Sequence, residues 1–254
     1  MKNFFPRAVT WSGALALAAA VAGAPAPAAP ARAGGTMAVA SPAAVTHFVK
    51  PDVFDFKALL PPPPAPESLA AKADLDAVLQ VQGWRTPEDV AWAKLVEADN
   101  VFNHADIIGR WFAPENLPVT AAFFHDIGDD LRALEAAAKK LFSRARPPGV
   151  DASVQPCVTV PASSSYPSGS ALQAFVWAEI LAGIFPEKRG ELILRAERAA
   201  WGRVVGGVHF PTDIVAGRTL ADAYLAQCRK SPAFHTALDQ CRAELEPMAA
   251  AKAK

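Results

Sequence analysis

The sequence predicts an all-α fold, and three observations predict it. Apolar residues recur at three- and four-residue spacings in one segment after another, prolines and small hydroxyl residues stand where those segments begin, and no run alternates apolar and polar residues long enough to make a strand. With 254 residues, 52% hydrophobic and 20% charged, the chain can bury a substantial core, and a helical bundle is the architecture these segments imply.

In chain order, Lys2 and Arg7 precede an apolar run over 11–24, and a Pro/Ala stretch then ends in Ala31-Arg32-Ala33. That is the layout of a signal peptide with a small-residue cleavage site, so residues 1–33 are expected to be removed and the mature chain to begin near Gly34, periplasmic or secreted. The apolar run is short for a membrane span, and no later stretch approaches the roughly 18–20 apolar residues a span needs, so no membrane attachment is expected after cleavage. Residues 1–33 carry Lys2, Arg7 and Arg32 and no acid, so their loss takes 25 basic residues to 22 against 25 acidic ones. No basic excess suited to nucleic acid is left.

Residues 34–65, rich in Pro, Ala and Val and including Pro61-Pro62-Pro63-Pro64, are expected to run as an extended surface arm. Residues 66–254 are expected to be the helical domain. Leu69, Leu75, Val78, Leu79 and Val81 mark a first helix, and Thr86 caps a second that starts at Pro87 and runs to Phe102. Pro114 or Pro118 opens a longer helix to Phe142, and Arg146-Pro147-Pro148-Gly149 breaks the pattern. A loop over 150–167 leads to a strongly apolar helix over 171–185, one that belongs in the core. Helices over 187–203, 211–228 and 232–246 follow. Cys228 and Cys241 flank the turn at Ser231-Pro232 and are a candidate disulfide in an oxidising compartment, with a bridge to Cys157 as the alternative.

Three segments collect residues suited to phosphoryl chemistry. In the first, Lys139 and Arg146 lie seven apart, which on a helix is two turns and one face, so both cations could meet one anion. The second, Tyr166-Pro167-Ser168-Gly169-Ser170, opens the apolar helix, where free backbone N–H groups and the helix dipole favour an anion. In the third, His209 precedes the proline-opened helix and Asp213 stands four residues later. The carboxylate there can hold one ring nitrogen as N–H and leave the other free to attack. Each segment also has an ordinary structural use, as dipole complement, N-cap or surface pair.

In this order and spacing, Lys139-x6-Arg146-Pro147, Pro167-Ser168-Gly169 and Arg203-x5-His209-x3-Asp213 resemble the signature of the type 2 phosphatidic acid phosphatase superfamily. Leu59-Leu60-Pro61-Pro62-Pro63-Pro64, Glu97-Ala98-Asp99-Asn100 and Ser231-Pro232-Ala233-Phe234 further resemble the class A bacterial non-specific acid phosphatases, over about residues 57–245. The resemblance implies an all-helical bundle and hydrolysis of small phosphate monoesters without metal or other cofactor. It implies a phosphohistidine on His209, held by Lys139, Arg146, Arg203 and the Ser168–Gly169–Ser170 turn, with Asp213 orienting the imidazole. Relatives of this class are commonly homo-oligomers.

Two positions depart from the pattern. Gly202 stands where it has Ser, and Ser170 where it has the His that protonates the leaving alkoxide. Loss of that acid predicts turnover of esters with good leaving groups and poor turnover of alkyl phosphates. His104 and His125 are weighed as replacement proton donors, and Glu97 and Asp99 as residues that could line the site. Two other readings use the same pocket: a phosphate-binding protein that has lost turnover, and a vanadate-dependent haloperoxidase, for which the chain is short.

Overall fold

Helix starts in this chain are fixed by local chemistry. The computed structural model describes residues 45–252, all within one compact unit that spans Pro42–Lys254. The proposed signal segment 1–33 and residues 34–44 lie outside the described residues. Helix α1, Leu69–Trp84, begins where Ser68 Oγ accepts the Ala71 N–H at 3.1 Å. Helix α2, Pro87–Leu95, has Pro87 at its first position and a reciprocal cap between Thr86 and Asp89.

Helix α3, Pro118–Leu141, lacks a local cap, and its first N–H groups are met from far along the chain. Val119 and Thr120 donate to the Glu244 carboxylate at 3.0 and 2.7 Å. Helix α4, Gly169–Ile184, is capped by Ser168. Helix α5, Arg189–Val205, helix α6, Pro211–Cys228, and helix α7, Pro232–Lys252, complete the bundle, which has no strand among the described residues.

Helix α4 is apolar on every side, so it can only be central. Leu172, Val176, Ala178 and Leu181 are fully buried, and the helix packs mainly on α5 and α6 with α3 behind. Burial of each such leucine is worth about 1.5–3 kcal/mol. Between α4 and α5 a single 3-10 turn, Pro186–Lys188, reverses the chain. Those three elements bring Ser168, Arg203, His209 and Asp213 to one end of the bundle.

The second helix is shorter than its apolar pattern suggests. It stops at Leu95, and Val96–Ala98 and Val101–His104 are 3-10 turns on either side of extended Asp99 and Asn100. The break comes from Asn100, whose side chain accepts the Phe102 N–H and so caps a new turn.

Of the stretch expected as a surface arm, residues 45–65 are described, and they are built into the bundle. Pro61–Pro64 are non-helical, but Phe56–Leu59 form a helical turn capped by Asp55, and Val49, Phe56 and Leu60 are buried in the main core. Asp130 on α3 anchors this segment: its buried carboxylate accepts N–H groups from His47, Phe48 and Val49 at 2.6, 3.0 and 2.9 Å and the Tyr224 hydroxyl at 3.0 Å.

The expected Cys228–Cys241 disulfide does not form, and all three thiols are free. The two helical cysteines face separate surroundings. Cys241 Sγ lies 3.4 Å from the Thr120 hydroxyl, and Cys228 lies beside Tyr224. Burial pushes Cys228 up to about 12 and Cys241 up to about 11, so both are inert thiols.

Candidate active site

The His209 side chain is buried and held at both nitrogens. Asp213, one turn into α6, accepts at Oδ2 from His209 Nδ1 at 3.2 Å, from the Phe210 N–H at 2.8 Å and from Ser165 Oγ at 2.5 Å, while its Oδ1 takes Arg144 Nη1 at 2.6 Å. An ionised carboxylate can only accept, so the imidazole proton is fixed on Nδ1 and Nε2 carries the lone pair. Arg146 Nη1 donates to that Nε2 at 3.1 Å. Burial lowers His209 to about 4, against the pull of Asp213 and with the help of the nearby Arg146 and Lys139 charges. The ring is therefore a free base well into the acid range. Burial pushes the Asp213 carboxyl up, but the His209 and Ser165 hydrogen bonds and the Arg144 charge outweigh it and hold it below the ordinary range.

Lys139 and Arg146 converge, though not along a helix as their spacing suggested. Helix α3 ends at Leu141, Phe142 is extended at φ −121°, ψ 90°, and Arg146 is extended at φ −75°, ψ 159° because Pro147 follows it. The meeting point is Ser163 Oγ, which accepts from Lys139 Nζ at 3.2 Å and Arg146 Nη2 at 3.2 Å. Arg146 also donates to the Ser163, Ser164 and Val208 carbonyls.

Arg203, on the last turn of α5, is buried, and its Nε and Nη1 make no hydrogen bond within the protein. Among the described residues, neither Arg146 nor Arg203 forms an ion pair with a carboxylate. Burial pulls both guanidiniums down, and Arg203 weakens Arg146 further by its own charge. Two buried, mutually repelling cations, one of them bonded to an unprotonated imidazole nitrogen, make a strong demand for an anion.

The α4 terminus completes this cradle. Ser168 Oγ accepts the Ala171 N–H at 3.3 Å, which leaves its own proton free to donate. A Cβ at Gly169 would overlap the Glu135 carboxylate, so any side chain there would have to push that carboxylate aside. Ser170 lines a cavity of about 140 Å³ together with Glu97, Asp99, Gln173 and Trp177. At Gly202, a Cβ would stand 2.9 Å from Val96 Cγ2, so the Val96–Ala98 turn crowds out the serine that the motif carries at that position unless Val96 shifts.

Neither histidine weighed as a replacement acid hydrogen-bonds His209. His104 is buried with Nδ1 on the Val101 carbonyl at 2.8 Å and is lowered to about 4 by burial and the Arg195 charge, and His125 is exposed on α3. Glu97 accepts the Thr159 N–H at 2.8 Å, and Asp99 is engaged by both terminal nitrogens of Arg195 at 3.1 Å.

Several residues of the site were given no role from the sequence. Arg144 bridges Asp213 to Asp74 at 2.7 Å and lies 4.0 Å over the Phe210 ring, and Thr212 donates to Asp74 as well. Ser165 bonds Asp213. Glu135 pairs with Lys139 at 2.8 Å and lies against Gly169, so a carboxylate already sits at the edge of the cradle. Arg144 was in view inside the first motif, and Ser163 to Ser165 as a serine run. Nothing in local spacing marked Asp74 or Glu135.

Comparison with known proteins gives a consistent result. A non-specific acid phosphatase of Salmonella typhi is 27% identical over 201 residues, 73% of this chain and 78% of the relative. One of Providencia stuartii is 27% identical over 218 residues, 77% of this chain and 86% of the relative. Among solved structures, a bacterial vanadium-dependent iodoperoxidase shares the fold with a TM-score of 0.54 at 19% identity, over 69% of this chain and 52% of its own. Residues 131–233, which hold Lys139, Arg146, Ser168, Gly169, Arg203, His209 and Asp213, match the family model of the PAP2 superfamily.

Proposed function

We propose that the chain is an acid phosphatase that hydrolyses phosphate monoesters through a phosphohistidine on His209, without a metal, in the periplasm or outside the cell. The observation that carries the reading is the buried, neutral imidazole, its Nδ1 tied to Asp213 and its Nε2 accepting from Arg146, a guanidinium with no carboxylate partner among the described residues. In the reaction Nε2 bonds to phosphorus as the ester oxygen leaves, and water then cleaves the P–N bond to release phosphate. Lys139, Arg146, Arg203 and the α4 terminus stabilise the charge that spreads over the equatorial oxygens, the term that dominates phosphoryl transfer. Asp213 stabilises the positive charge the ring acquires.

Because His209 is lowered to about 4, it stays unprotonated where a histidine of ordinary pKa would be blocked. Export rests on the 1–33 pattern, and no helix among the described residues is long and apolar enough to cross a membrane. Ser170 favours one second reading, a phosphoester-binding protein with little turnover.

Hydrolysis of an aryl phosphate at pH 5–7 with a chelator present separates the two. The phosphatase reading expects turnover that resists the chelator and is abolished in His209→Ala. Phosphate binding by wild type with no turnover would replace it with the binding reading.

A further inference from the structure

Well away from His209, four side chains with metal-ligating atoms meet where the N-terminal segment crosses α3. His125, Asp126 and Asp129 stand on adjoining turns of α3, and His47 comes in from the segment above. His47 Nε2 lies 3.2 Å from Asp129 Oδ2, and His47 Nδ1 lies 3.6 Å from Asp126 Oδ1. His125 Nδ1 is 3.7 Å from an oxygen of each carboxylate. One ligand atom from each of His47, Asp126 and Asp129 falls within 4.8 Å of the other two. Around a tetrahedral zinc ion, with bonds of about 2.0–2.2 Å, ligand atoms stand about 3.3–3.5 Å apart. Side-chain adjustments of up to about an ångström would close these three on an ion, and exposed His125, 3.7 Å from each carboxylate, is placed to turn in as the fourth ligand.

Two further contacts hold the set in place. Asp130 accepts the backbone N–H groups of His47, Phe48 and Val49, so His47 is fixed over α3 before any ion arrives. Arg132 bonds Asp129 through Oδ1 and leaves Oδ2 facing His47, the kind of outer contact that orients a ligating carboxylate. The charge balance points the same way, since two carboxylates face one guanidinium and are left with a net negative charge that favours a cation.

We propose that His47, His125, Asp126 and Asp129 bind one divalent transition-metal ion of the zinc class, which fastens the N-terminal segment to α3. Mixed imidazole and carboxylate ligands select zinc, nickel or copper over magnesium and calcium, which take all-oxygen sites. The site is structural and independent of the reaction at His209. Thirteen residues of α3 separate Asp126 from Lys139, roughly 20 Å of helix.

The test is calorimetric titration of the untagged, chelator-stripped chain with zinc chloride, paired with thermal unfolding. Expected are one equivalent bound with micromolar or tighter Kd and, at a hundredfold excess over Kd, a rise in Tm of about 5–10 °C. Magnesium chloride should give neither. His47→Ala should weaken binding at least tenfold. So should His125→Ala, whose side chain is 71% exposed and whose loss leaves the fold intact. Absence of zinc binding by wild type, or wild-type affinity in both variants, would overturn the site.

Discussion

A serine hydroxyl is far too weak an acid to protonate a departing alkoxide, and Ser170 stands where the acid phosphatases that this sequence resembles carry a histidine. The cavity beside it, lined by Glu97, Asp99 and Trp177, gives a longer side chain room to enter. General acid catalysis supplies about 10²- to 10⁴-fold, so Ser170→His should raise alkyl phosphate turnover by up to that range and change aryl phosphate turnover far less. Steady-state rates on the two ester types check this, and no rise with the fold intact would refute it. Glu135 acts in the opposite sense. Its carboxylate occupies Lys139, and an incoming phosphoryl group must displace it. A partly exposed pair of this kind is worth about 0.5–1 kcal/mol, so Glu135→Gln should lower KM about two- to fivefold with kcat little changed. His209, Asp213, Arg146 and Arg203 were legible in the sequence because each lies inside a short motif whose spacing carries chemical meaning. Glu135 and Asp74 were not, because each reaches its partner across the bundle, and only packing shows which helices face each other.

At the scale of elements, capping chemistry was the readable part. Thr86 with Pro87 and the prolines at 211 and 232 set helix starts that the structure places at those residues; of Pro114 and Pro118 it is Pro118 that opens α3, and Ser168 caps α4, which starts two residues ahead of the expected 171. Helix ends were less readable. The Asn100 turn and the extended Phe142 result from side-chain and tertiary choices that periodicity does not encode. The N-terminal segment was the hardest to read, because its proline content favours an extended surface path while Val49, Phe56 and Leu60 find places in the core. Asp130 decides the outcome. Replacing it by Ala leaves three backbone N–H groups unpaired, at a cost of about 3–5 kcal/mol. Asp130→Ala should therefore unfold at lower urea and expose the segment before Phe56 to limited proteolysis. Unchanged stability and cleavage would show that apolar packing alone holds the segment.

For the whole molecule, burial of two neutral histidines ties stability to pH. His209 and His104 are both lowered to about 4 from an unfolded value near 6.5. Between those values the unfolded chain binds more protons than the folded one, so stability falls as pH drops from 6.5 to 4 and levels off below. Each histidine contributes on the order of 3 kcal/mol to that loss. Urea unfolding at pH 7, 5.5 and 4.5 should show a shallower pH slope in His209→Gln than in wild type, and parallel slopes would deny the buried neutral state. In the proposed reaction that neutral ring is also what lets His209 attack phosphorus in acid. The decisive measurement is therefore mass spectrometry of protein quenched into base during turnover of an aryl phosphate. The account predicts one added phosphoryl group, mapped to the peptide that contains His209 and absent from His209→Ala. Steady turnover with no phosphoenzyme, or with the phosphoryl group on another residue, would contradict it.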